Sequence, residues 1–276
     1  MSYIVNSKID LMLVKDLFNI YRKENMNVDL LEIIVRELIP KDKNGDILIG
    51  YELYNNGGGF PLFSLSENYL NLSIDELYVW IDKNSKVAID KFNVKDMELF
   101  KDYMFFFVLC HEIEHSYQYL MAYDVVDAPC DLVRDSYKLI IDSLICRNYD
   151  KIGKLKILRN RLVHYLYYKN SYKYVIERNA NVEAFDLMQM LAIENEHDHL
   201  ISVFNDMRNS FLLFGYLKDN KGCFDETMKD ILLWYDYKKM DHNYVLCNID
   251  RYRYGLPISL EYRNEIIELM KIRCKK

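Results

Sequence analysis

The stretch FFFVLCHEIEHSYQYL, residues 105–120, runs six apolar residues directly into His-Glu-Ile-Glu-His. An unbroken apolar run of that kind is more than a one-sided amphipathic helix carries, and Ser116 and Tyr117 follow without a breaker. The segment therefore predicts a buried helix that continues past Leu120. Residues four apart on a helix share a face one turn away, so His111 and His115 point two imidazoles at a single ion, with Glu112 beside them. A catalytic zinc takes two neutral imidazoles, a third protein ligand and a water; the metal lowers the water's pKa, and a neighbouring glutamate accepts its proton. The competing reading is a histidine pair hydrogen-bonded inside a helical interface. The glutamate between the histidines favours the metal.

A site of this type needs a third ligand, and YKYVIERNANVEAFDLM, residues 172–188, supplies a candidate on a second amphipathic helix. Glu177, Ala180, Asn181 and Ala184 fall at i, i+3, i+4 and i+7, which sets one carboxylate on a face otherwise made of small residues. Small residues allow two helices to approach closely. Glu183 lies about 120° around the same helix and is not on that face.

HEIEH followed by ERNANVEA resembles the gluzincin pattern of HExxH plus a glutamate on a later helix. In particular it is similar to the ExxANxxA signature of the ImmA/IrrE-like peptidases. The resemblance implies zinc held by His111, His115 and Glu177, with Glu112 as general base. It further implies a regulatory protein substrate, because such relatives are tied to repressor cleavage and to stress or mobile-element control. The 62 positions from His115 to Glu177 leave room for an insertion at about 123–170, which contains the helix-like CDLVRDSYKLIIDSLICRNY.

Upstream, Ile9, Leu13, Leu17 and Ile20, then Leu30, Leu31, Ile34 and Leu38, recur at helical spacing and predict two helices closed by Pro40. From Gly45 to about residue 81 the texture is that of a small sheet: DILIGYELY is strand-like, NNGGGFP is a loop, and FSLSENYLNLSI alternates. Zincins lay an extended substrate along an edge strand beside the metal, and ENYLNLSID is the candidate for that strand, with an ordinary sheet strand as the alternative. NNGGGFP has neither the following helix nor the Lys-Ser/Thr pair of a phosphate loop.

His164 is the first choice for a donor to a developing oxyanion, among Tyr165, Tyr167, Tyr172 and Tyr174 that also precede the Glu177 helix. His197 and His199 sit among Glu194, Glu196 and Asp198 and read as a solvated helix end rather than a second metal site. Asp127, Asp131 and Asp135, spaced four apart after DAPCD, suit helix-start and surface roles.

The chain's 276 residues, 51% hydrophobic and 28% charged, describe a globular protein able to bury a large core. A net charge of −6 lacks the basic excess with which a dedicated nucleic-acid binder neutralises phosphates, so no nucleic-acid partner is expected. Six cysteines without a CxxC pair read as reduced thiols, the N-terminus lacks signal-peptide character, and no run is long enough to span a membrane. These features point to the cytoplasm.

The expected fold is α+β and predominantly helical, a zincin-like core with a small sheet beside the HExxH helix. We expect one compact unit: N-terminal helices over 1–44, the catalytic core over 45–195, and a helical C-terminal part over 196–276. The expected activity is zinc-dependent hydrolysis of a peptide bond in a protein or peptide substrate. A zinc-binding helical scaffold that contacts a partner without turnover is the alternative, and a metal-free helical structural protein is the third reading.

Overall fold

In a computed structural model of the chain, the described residues are 9–57 except 25, 62–128 except 66 and 93, then 134, 137, 138, 141 and 171–212. They are mostly helical, with one small sheet. In chain order they form α1 (Leu11–Tyr21), α2 (Val28–Leu38), β1 (Gly50–Tyr54), β2 (Leu62–Ser64), β3 (Tyr69–Ser73), α3 (Ile74–Phe92), α4 (Met97–Ala122), α5 (Ser171–Glu194) and α6 (Asp198–Leu212). Among the described residues no helix is long and apolar enough to cross a membrane.

Local chemistry starts the helices where the sequence provides caps. Asp10 Oδ1 accepts the backbone N–H groups of Met12 and Leu13 at 2.7 and 3.3 Å, and Asn27 Oδ1 accepts that of Leu30 at 2.9 Å. Asp96 does the same for α4, accepting Leu99 N–H at 3.0 Å. In α2 the buried face is the one the spacing predicts: Leu30, Leu31, Ile34 and Leu38. In α1 it is rotated, with Val14, Leu17, Phe18 and Tyr21 inside and Ile20 exposed, because the large aromatics Phe18 and Tyr21 turn toward α4.

Chain separation by packing gives two compact units. The first comprises residues 1–121, 125–127 and 180–208; the second comprises 122–124, 128–179 and 209–276. In the first unit, α4 is the central element. Phe105 stacks on Tyr21 with ring centroids 4.6 Å apart, Phe106 meets Phe18 edge-on at 5.4 Å, and Phe107 stacks on Phe185 of α5 at 4.1 Å. Phe105 and Phe106 thus pack on α1 and Phe107 on α5, as a helix surrounded by packing requires, and every residue from Tyr103 to Gln118 is buried. The second unit is described at few residues: Arg134 pairs with Asp124 at 3.3 Å, Lys138 lies 4.4 Å above the Tyr123 ring, and Asn179 Nδ2 donates to the Tyr137 hydroxyl at 3.0 Å.

The sheet has the order β1-β3-β2, with β1 parallel and β2 antiparallel to β3. It ends sooner than the texture suggests. Residues 74–92 are helix α3, which buries Leu77, Ile81, Ser85 and Ala88 at helical spacing and carries Asp75 and Glu76 in its first turn. The change of period is masked in sequence because α3 follows Ser73 with no breaker between strand and helix. The expected insertion at 123–170 and the C-terminal part beyond residue 212 lie largely or wholly outside the described residues.

Candidate metal centre

The α4 helix places the two histidines as their four-residue spacing requires. The His111 and His115 rings lie with centroids 4.8 Å apart and planes at 83°. Both are buried, as are Glu112 and Glu114 between them. Glu177 stands one turn before Asn181 on α5, a single unbroken helix over Ser171–Glu194. His111, His115 and Glu177 each offer one ligand atom, and the three atoms lie within 4.8 Å of one another. Donors around a tetrahedral zinc at ~2.0–2.1 Å sit roughly 3.3 Å apart, so the three are grouped at a spacing somewhat wider than a closed site. The donor set itself, two imidazoles and one carboxylate, fits zinc.

The small-residue face of α5 is also realised. Ala180 and Ala184 are fully buried and Asn181 nearly so, while Glu177 and Glu183 are half-buried. Glu183 is not part of the grouped set.

Glu112 is fixed from the sheet. Its Oε2 accepts the backbone N–H of Phe63 at 2.7 Å, and its Oε1 lies 3.9 Å from His111 Nε2. Phe63 is opposite Leu70 in the β2–β3 ladder, and its N–H is directed to Glu112 rather than across that ladder. The strand beside the site is therefore β2. ENYLNLSID, expected as the edge strand, supplies β3, which is flanked on both sides by β1 and β2 and has no edge to offer. The sequence hides this because β2 is only three residues long and adjoins the glycine-rich loop, of which residues 58–61 lie outside the described residues.

His115 has a second fixed contact, between its Nδ1 and Gln118 Oε1 at 2.9 Å. Gln118 is fully buried on α4. Sequence reasoning passed over it, although i, i+3 spacing on a helix was the signal available. Phe63 carried no side-chain signal at all, since it acts through its backbone.

Burial holds two titratable groups of α4 in their neutral forms. Burial, reinforced by the charge of Glu114, pushes the Cys110 thiol up to about 12, so it remains protonated and is a packing residue at neutral pH. The same two causes raise the Tyr117 hydroxyl. His197 Nδ1 pairs with the Tyr103 hydroxyl at 2.8 Å, and burial lowers the pKa of its imidazole, with Arg22 adding to the effect. The neighbouring Glu194, Glu196 and Asp198 are exposed, as a helix end among acidic residues suggests. His164, Tyr165, Tyr167, Asp131 and Asp135 lie outside the described residues, as do the side chains of Tyr172 and Tyr174.

No family model, no curated protein and no solved structure matches the chain.

Proposed function

We propose that the chain is a zinc-dependent metallopeptidase of the gluzincin kind, with a zincin-like core, that hydrolyses a peptide bond of a protein substrate. The observation that carries this reading is the grouping of His111, His115 and Glu177 within 4.8 Å, beside a buried Glu112. Zinc bound by these three side chains would polarise the scissile carbonyl and bring the pKa of a water toward ~7.

The chain's own groups divide the remaining work. Phe63 N–H holds Glu112 Oε2, which orients the carboxylate and assigns proton transfer to Oε1. Glu112 takes a proton at Oε1 from the attacking water and delivers it to the leaving nitrogen. Phe107, with its ring centroid 5.9 Å from that of His111, lays apolar surface against the site. The likeness of HEIEH and ERNANVEA to ImmA/IrrE-like peptidases favours a regulatory protein substrate over general digestion, and that step is analogy.

The test is metal analysis of protein purified without added metal, together with cleavage of a fluorogenic peptide library by wild type and Glu112→Gln. About one zinc per chain in both proteins is expected, with turnover at least ~100-fold lower in the variant, in line with loss of a general base. Absence of zinc from the wild type, or full turnover in Glu112→Gln, would refute the reading. Zinc without turnover in the wild type would instead return the scaffold alternative.

A further inference from the structure

We infer that Gln118 is a positioning residue for the metal centre: it fixes the tautomer and ring orientation of His115. The inference rests on the proposed zinc site and concerns a residue that the HExxH pattern does not contain. The 2.9 Å contact joins His115 Nδ1 to the amide oxygen of Gln118, which has lone pairs and no hydrogen. With the amide oxygen turned to the ring, a neutral His115 carries its proton on Nδ1 and donates it to Gln118. That leaves the lone pair on Nε2.

Without such a partner, a neutral imidazole distributes its proton between both nitrogens and rotates about its side-chain torsions. Each alternative removes the donor atom from the site. Three features make the contact a selective one. Gln118 is three residues after His115 on the same helix, so the pair is built into α4. Its side chain is fully buried. Its carbonyl accepts without adding a charge, whereas a carboxylate in that place would add one on the helix face that also carries the buried Glu114.

A histidine ligand's hydrogen-bond partner of this kind is worth roughly 10- to 100-fold in metal affinity. Two measurements test the role. In metal-free wild type, long-range nitrogen–proton NMR of the imidazoles, with His115 assigned by its absence in His115→Gln, should show the Nδ1–H tautomer. An Nε2–H tautomer would overturn the inference whatever the protein does with zinc. In the second measurement, zinc competition against a chromogenic chelator should show Gln118→Leu binding about 10- to 100-fold more weakly than wild type at the same stoichiometry.

A purely structural role for Gln118 would lower the fraction of folded, zinc-competent chains and leave the affinity of that fraction unchanged, and this outcome would also overturn the inference. Failure of wild type itself to bind zinc would strike the proposed function, not the tautomer assignment. Should Gln118→Leu not fold, the NMR result on wild type decides alone.

Discussion

Phe63 and Glu112 are joined by a backbone-to-carboxylate hydrogen bond of 2.7 Å, which ties the outer strand of the sheet to the glutamate of the HExxH helix. Phe63 is itself buried, so Phe63→Ala is expected to cost about 3–5 kcal/mol. Phe63→Pro loses the same side-chain packing and also the N–H, leaving a buried carboxylate oxygen without its donor. It should be less stable than Phe63→Ala by a further ~1–3 kcal/mol in urea unfolding. Equal stabilities for the two variants would show that the N–H contributes nothing to holding Glu112.

On the proposed function, zinc should stabilise the folded chain by mass action, because it binds the grouped donors of the native state and not the unfolded chain. At free zinc about 100-fold above the dissociation constant the gain is ~2.7 kcal/mol, visible as a rise in melting temperature that EDTA reverses. Glu177→Ala removes one of the three grouped donors and should abolish most of that rise. A variant with the full wild-type shift would remove Glu177 from the ligand set.

The α4–α5 packing depends on Phe185, which is fully buried and stacked on Phe107 at 4.1 Å. Truncation to alanine opens a cavity in a region surrounded by helices and should cost about 3–5 kcal/mol, with Phe185→Leu costing less than half as much. Equilibrium denaturation reads both values. Indifference to the alanine change would contradict the close stacking.

His197 should give the stability a pH dependence of defined sign. Burial, followed by the charge of Arg22, lowers the pKa of its imidazole below the ordinary ~6.5. Between the depressed folded value and the unfolded one, the unfolded chain binds more protons, so stability rises with pH through that window. The contribution is complete above the unfolded pKa and is lost as pH falls through the folded one. Melting temperatures of wild type and His197→Gln, compared from pH 7.5 down to 5, should converge toward acid. Parallel curves would exclude His197 as their source.

Much of α4 was legible from residues 105–120 alone. Six consecutive apolar residues demand burial on all sides, and a four-residue interval on a helix puts two imidazoles on one face whatever lies around them. Likewise the Glu177, Ala180, Asn181 and Ala184 spacing defines a face of α5 from helical geometry only. Those relationships are local, so the chain's order of residues determines them.

Other features depended on contacts between segments distant in sequence. The start of the helix over Ile74–Phe92, to about residue 81, has the texture of a sheet in the sequence because nothing at Ser73 marks the change of period. The rotation of the α1 face follows from what Phe18 and Tyr21 meet on α4. Which strand adjoins Glu112 is set by sheet order, and the bond that joins them uses a main-chain group that is identical in almost every residue type. Helical periodicity therefore determined which side chains share a face; tertiary packing decided which faces and which backbone groups come together, because contact across the fold is a property of the folded arrangement and has no period to be read along the chain.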